Sequence, residues 1–427
     1  MQGNRILEQH IAVFGESGSG KTVMASSFYG TTQEKQFWKA NSYRVVADDI
    51  GQGSELHKMY LDMRDSAITP LLTKFRSTSY SFSLKMTIDD PKANADRPYD
   101  AVRLVWHDYP GEWFEQAATG PVEEQRRIET FRSLLSSDVA LVLVDGQKLL
   151  DNKGEEERYL KSLFGNLRNA LLNLKDDLLV DGAPLVKFPR IWMLVLSKAD
   201  LLPDMDAVDF RDLLIKKATD DLAELRKVLG SMVESKEAMS VGEDFLLLSS
   251  AKFEANRIEV AERVGLDLVL PIAAVLPFER HVRWIENKML GAKVLHALAD
   301  GVDSVAAALL GKGLRAKSKG AGADKTKIAN AAKGAGKAKV AGKAKVAVKG
   351  GLNNLDVRKM VMDLIRREVL GKAVSAAAKL AGDKLRAKHS EALAKRDYMA
   401  AVLTGFQIAL DESEERDEGP VLLRSHK

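Results

Sequence analysis

An apolar run, Ile11-Ala12-Val13-Phe14, leads directly into Gly15-Glu16-Ser17-Gly18-Ser19-Gly20-Lys21-Thr22, and a helical pattern begins near Lys21. Strand, glycine-rich loop and helix in that order commit the chain to an α/β fold built around a mostly parallel sheet. The spacing Gly, four residues, Gly-Lys-Thr is that of a phosphate-binding loop. Its glycines let the backbone turn N–H groups inward, and the helix N-terminus adds partial positive charge, so a polyphosphate is held without side chains. Lys21 is placed to reach the β- and γ-phosphates, and the Thr22 hydroxyl to ligate Mg²⁺. Gly15, Glu16, Ser17, Gly18, Ser19, Gly20, Lys21, Thr22 and Val23 are the candidate phosphate-contacting residues.

A phosphate loop does not specify a base. Three later segments narrow the choice, and each ends an apolar run of strand length. Val102 to Trp106 is followed by His107 and then Asp108-Tyr109-Pro110-Gly111. Ile191 to Leu196 runs into Ser197-Lys198-Ala199-Asp200, and Phe245 to Leu248 into Ser249-Ser250-Ala251-Lys252. Ligands of open α/β sheets bind at the carboxyl ends of the strands, where all four segments fall. There Asp108 can hold Mg²⁺ through a water, and Gly111 can offer its N–H to a γ-phosphate.

The set, in this order, resembles the Ras-like P-loop GTPases of the TRAFAC class. The resemblance covers about two-thirds of the chain and implies GTP or GDP as ligand with Mg²⁺ as cofactor. It implies that Lys198 covers the base, that Asp200 accepts hydrogen bonds from guanine N1 and N2, and that Ser250, Ala251 and Lys252 brace the base from the other side. A carboxylate on guanine's donor edge rejects adenine, because a buried polar group left unpaired is costly. Two positions depart from the family pattern. Ser197 stands where Asn or Thr is usual, and Glu112 stands where many members carry a water-orienting Gln.

The resemblance also implies a switch threonine just before the second strand of the GTPase fold, contacting Mg²⁺ and the γ-phosphate. Tyr80 to Ile88 alternates apolar and polar residues with the period of a strand. Thr78 immediately precedes it and is the first choice, with Thr73 and Thr69 as alternatives. Arg76 is the obvious place for an arginine finger in cis. Lys21, Thr78, Gly111 and Glu112 thus form the expected catalytic set, and Thr22, Thr78 and Asp108 the metal set.

The predicted organisation is a Ras-like domain over residues 1–290 with five parallel strands, one antiparallel strand and helices on both faces. Two intervals, 31–77 and 147–190, make it larger than a minimal domain. Helical spacing of Tyr159, Leu160, Leu163, Phe164, Leu167 and Leu171 marks one inserted helix. A connecting helix is expected over 291–310, a linker over 311–350, a helical hairpin over 351–410 and an acidic tail over 411–427. The linker carries twelve Lys or Arg against Asp324 alone, a net +11 that leaves −7 on the rest of a chain whose formal charge is +4. Such a segment reads as a solvated tether, with nucleic-acid phosphates or an anionic membrane surface as alternative partners. The absence of cysteine excludes disulfides and thiolate chemistry. With no apolar stretch of spanning length, a cytoplasmic protein is expected.

The sequence reading is therefore a slow Mg²⁺-dependent GTPase acting as a switch on a protein effector. A P-loop ATPase and a non-hydrolysing, nucleotide-clamped scaffold are its rivals.

Overall fold

The structure, a computed structural model, describes residues 6–70, 78–86, 101–114, 118–254, 256–288, 385–392, 398–416 and 419–423. Thr73, Arg76, the linker at 311–350, the connecting helix at 291–310 and most of the hairpin at 351–410 lie outside the described residues.

The strands are β1 (Ile6–Phe14), β2 (Tyr43–Ala47), β3 (Thr78–Met86), β4 (Ala101–Asp108), β5 (Val139–Asp145), β6 (Ile191–Ser197), β7 (Ser240–Leu248), β8 (Lys252–Glu254), β9 (Arg257–Glu259) and β10 (Val421–Leu422). All but β8 and β9 form one sheet in the order β10-β7-β6-β5-β1-β4-β3-β2, while β8 and β9 make a separate hairpin. Strands β4, β1, β5, β6 and β7 run parallel, and β3 is antiparallel to β4. This is the predicted set of five parallel strands and one antiparallel strand. Every residue of β5 and β6 is buried. Parallel strands covered on both faces have no wet side, so Val139–Val144 and Ile191–Leu196 read as unbroken apolar runs.

Two additions enlarge that sheet. Strand β2, from the 31–77 interval, pairs antiparallel with β3 and was not among the expected strands. Its buried positions alternate along Tyr43, Val45 and Ala47, but five residues with an outward Val46 give too short a pattern to read. At the other edge, the region expected to be an acidic tail continues a helix to Glu414 and then supplies β10, which pairs antiparallel with β7. The Leu247 N–H donates to the Pro420 carbonyl at 2.7 Å. The acidic composition of 411–418 gave no sign that Val421 and Leu423 would be buried there.

The principal helices are α1 (Lys21–Thr32), α2 (Lys35–Ala40), α3 (Ile50–Ser66), α4 (Pro121–Leu135), α5 (Gly146–Asp151), α6 (Glu156–Asn173), α7 (Ala207–Gly230), α8 (Val269–Lys288) and α9 (Tyr398–Glu414), beside a single turn at Lys175–Leu178 and a short helix over 385–392. On one face of the sheet, α1 through Met24 and Phe28, α8 through Leu270 and Leu276, and α9 through Phe406 and Leu410 share a core. On the other, Phe131 of α4, Phe164 of α6 and Phe210 of α7 share a second core. The six α6 residues predicted from helical spacing are all buried.

One boundary differs from the sequence reading: strand β3 begins at Thr78 rather than after it. Helix α8 begins at Val269 and runs through both Pro271 and Pro277. Pro271 is tolerated because first-turn N–H groups have no intrahelical acceptor, while the buried face from Val269 to Leu276 outweighs the bond lost at Pro277.

Candidate functional site

The carboxyl ends of β1, β4, β6 and β7 converge on a cavity of about 420 Å³. Its walls include Ser17 to Val23, Gly111, Glu112, Ser197, Lys198, Asp200, Ser250 and Ala251, so all four sequence segments meet there.

The phosphate loop is held open by backbone geometry. Gly18 and Gly20 have φ of 79° and 93°, left-handed values that favour glycine. Gly20 is also the N-cap of α1, and the Met24 N–H donates to its carbonyl at 2.8 Å. The buried Lys21 amine donates to the carbonyls of Gly15 at 2.8 Å and Glu16 at 3.0 Å. It thereby arches over the loop, where a phosphate oxygen can compete for its three protons.

Asp108 ends β4 under this loop and is buried. Burial pushes its carboxyl up to about 6, against the opposing pull of Lys21 and of hydrogen bonds from the Tyr109 N–H and the Thr22 side chain. Its Oδ2 has no hydrogen-bond partner among the described residues. A buried carboxylate oxygen left over beside a threonine hydroxyl fits a hydrated divalent cation, which would restore the missing interaction. Among the described residues no group of three or more His, Asp or Glu side chains could hold a metal ion without help. Mg²⁺ here would therefore draw its other ligands from phosphate and water.

Tyr109 joins the two phosphate-side segments. Its hydroxyl accepts from the Gly15 N–H at 2.7 Å and donates to the Gly15 carbonyl at 3.1 Å, and its ring centroid lies 5.1 Å from the Lys21 amine. Gly111 lies so close to the loop that a Cβ on it would stand 2.3 Å from the Ser17 nitrogen. Glu112 follows in the short 3₁₀ turn Gly111–Phe114, on the cavity wall. Thr78 pairs with Asp108 across β3 and β4, which brings its backbone beside the metal set. Thr69 lines the cavity from the segment after α3.

At the other end of the cavity the links run between side chains. The Ser249 hydroxyl lies 2.7 Å from Asp200 Oδ1 and 2.8 Å from the Ala251 carbonyl, sharing one proton between two acceptors. The Lys198 amine donates to Asp145 Oδ2 at 2.8 Å. Asp145 is buried and caps α5 by accepting from the Gln147 N–H at 2.9 Å. The Ser197 hydroxyl donates to the Val144 carbonyl at 3.3 Å, a contact confined to the sheet. Lys198 has φ of 55°, a left-handed turn that swings the chain from β6 toward Asp200.

These are the Gly-rich loop, Asp-x-x-Gly, Lys-x-Asp and Ser-Ala segments of a P-loop GTPase, assembled around one cavity. Residues 9–245 match the family Double-GTPase 2. The chain belongs to that family. Among solved structures, this Double-GTPase 2 protein is similar to nucleolar GTP-binding protein 1 from Plasmodium falciparum, at 12% identity over 69% of this chain and 95% of that one, with a TM-score of 0.28. It is similar to the S. cerevisiae Ski7 GTPase-like domain bound to GTP, at 14% identity over 57% of this chain and 43% of that one, with a TM-score of 0.26. A comparison with curated proteins finds no match.

Gly15, Glu16, Asp108 and Lys252 are predicted residues that do not line the Double-GTPase 2 cavity. Lys252 is exposed on β8, and its amine lies 3.5 Å from Glu254 and 3.3 Å from Glu262. Strand alternation turns Lys252 outward and Phe253 the other way, and Phe253 is what lines the cavity. Other contributors were missed. Lys148 pairs with the buried Glu16 of the phosphate loop at 2.7 Å, and Asp145, Ser249 and Tyr109 position predicted residues as described above. Ser249 and Tyr109 stood inside quoted segments. Asp145-Gly146-Gln147-Lys148 ended an apolar run as the other segments did, and that placement was the usable signal.

Proposed function

We propose that the chain is a Mg²⁺-dependent GTP hydrolase that works as a switch between GTP and GDP states. What carries this reading is Asp200, held at the cavity opposite the phosphate loop by Ser249. A carboxylate there offers guanine N1 and N2 the acceptors that adenine's corresponding edge cannot use.

In the proposed reaction, water attacks the γ-phosphate in line. Lys21 and the N–H groups of residues 17–22 stabilise the charge developing on the phosphate oxygens. Thr22, and Asp108 through a water, would hold Mg²⁺, which would supply positive charge to the phosphate oxygens. The Gly111 N–H senses the γ-phosphate, and Glu112 orients the water. Thr78 serves as switch threonine, supported by its pairing with Asp108. Loss of the γ-phosphate removes these contacts and relaxes the segments around Thr78 and Gly111, which is the change a protein effector would read.

The test is displacement of a fluorescent guanine nucleotide by GTP, GDP and ATP in the presence of Mg²⁺, followed by phosphate release. GTP and GDP should displace it far better than ATP, Lys21→Ala should abolish binding, and phosphate should appear slowly. Equal displacement by ATP would make the chain a P-loop ATPase. Tight guanine-nucleotide binding without phosphate release would make it a nucleotide-clamped scaffold.

A further inference from the structure

The hairpin β8–β9 follows Ala251 immediately and carries an aromatic residue with no obvious structural task. Phe253 is 39% exposed, although strand alternation puts it on the opposite side of β8 from Lys252 and Glu254. Successive side chains of a strand alternate, and directly paired residues share a face. Lys252 and Glu254 take the solvent side and pair with Glu259 and Arg257 across the hairpin. Phe253 takes the other side, the side of its partner Ile258. Ile258 is buried in a small core with Tyr60 and Met63 of α3, Ala251 and Val260. Phe253 is thus on the protein-facing side of the hairpin but borders open space, and that space is the cavity lined by Asp200 and Ala251.

The hairpin is firmly placed. Its inner side is packed on α3, and Val23 of α1 packs against the same core. An aromatic ring held on such a base, aimed into a cavity and left uncovered there, is a surface awaiting a flat apolar partner. A purine is such a partner, since aromatic faces stack on bases irrespective of the hydrogen-bonding edge.

We propose that Phe253 stacks on the guanine base of the bound nucleotide, an inference that rests on the guanine-nucleotide reading given above. The carboxylate of Asp200 then reads the base edge, while Phe253 supplies affinity from a hairpin supported by the inserted helix α3. Lys252, the residue next to it, has no part in this contact.

The test uses the full chain and compares GDP with inorganic triphosphate as competitors of a fluorescent guanine nucleotide. Base stacking on an aromatic side chain is worth about 5- to 150-fold in affinity. Phe253→Ala and Phe253→Leu should both weaken GDP within that range and leave triphosphate unchanged, while Phe253→Tyr should bind GDP as the wild type does. Leucine retains apolar bulk without a π-face, so it separates stacking from support of the hairpin. In Phe253→Trp, the added indole emission should be quenched by saturating GDP beyond any change in the wild type. Wild-type GDP affinity in Phe253→Ala, or equal losses of GDP and triphosphate, would overturn the proposal. Failure of the wild type to bind guanine nucleotide at all would instead overturn the functional reading beneath it.

Discussion

At the phosphate end, the loop in the cavity wall is one run of consecutive residues, Gly15 to Thr22, whose working groups are largely backbone N–H donors and a lysine folded back on its own loop. At the base end the wall is assembled from the ends of β6 and β7 and the start of β8, and it is held by side-chain links, Ser249 to Asp200 and Lys198 to Asp145. The first arrangement is local and follows from glycine conformations and a helix N-terminus. The second exists only when strands distant in sequence are in register, as Asp145 is with Ser197 and Leu248 is with Ser197. A substitution at the phosphate end should therefore act on nucleotides of any base, and one at the base end on the choice between bases.

The sharpest way to break that comparison is Gly111→Ala. The added Cβ would press on the Ser17 nitrogen and the Glu16 carbonyl carbon, at 2.3 and 2.4 Å, so the loop and the turn cannot both stay in place. A misplacement of this size costs on the order of a hundredfold in rate. Single-turnover GTP hydrolysis should fall by about that factor while GDP affinity changes little; an equal loss of GDP binding would show that Gly111 supports the loop itself.

Asp200→Ala should lower the preference for GTP over ATP by some tens-fold in competition binding and leave triphosphate affinity intact, since in the proposed site the carboxylate contacts only the base edge. Retention of the preference would move base recognition to the backbone of Ser250 and Ala251. Ser249→Ala is a milder version. Removing the Ser249 hydrogen bond frees the carboxylate to turn, and a loss of about 1 kcal/mol, or about fivefold in GDP affinity, is expected by isothermal titration.

The smallest effect separates charge from contact at the phosphate end. Lys148→Ala leaves Glu16 buried without its cation, a negative charge next to the loop that should weaken GTP by a few-fold. Adding Glu16→Gln should restore affinity, because the neutral amide no longer repels phosphate. If the double variant binds no better than Lys148→Ala, the pair acts by packing and not by charge.

How much of the site was legible follows the same division. Each segment could be found because it terminates an apolar run, and a strand buried on both faces leaves that mark in sequence. The outward placement of Lys252 has a local cause: a three-residue strand turns alternate side chains to opposite faces, and the resemblance supplied the residue without the register. Ser197 lay in the right segment, but its hydroxyl goes to Val144, a choice fixed by the pairing of β5 and β6.

By itself, the amino-acid sequence determined the phosphate loop, the parallel central strands and the two faces covered by helices such as α6, because glycine torsions and apolar periodicity act over a few residues. Only the tertiary structure decided that Val421 and Leu422 would complete an edge of the sheet, that Tyr43–Ala47 would extend the other, and that Phe253 would face the cavity. Those outcomes depend on which backbone groups remain unpaired once the central strands are in place, and no short stretch of sequence carries that information.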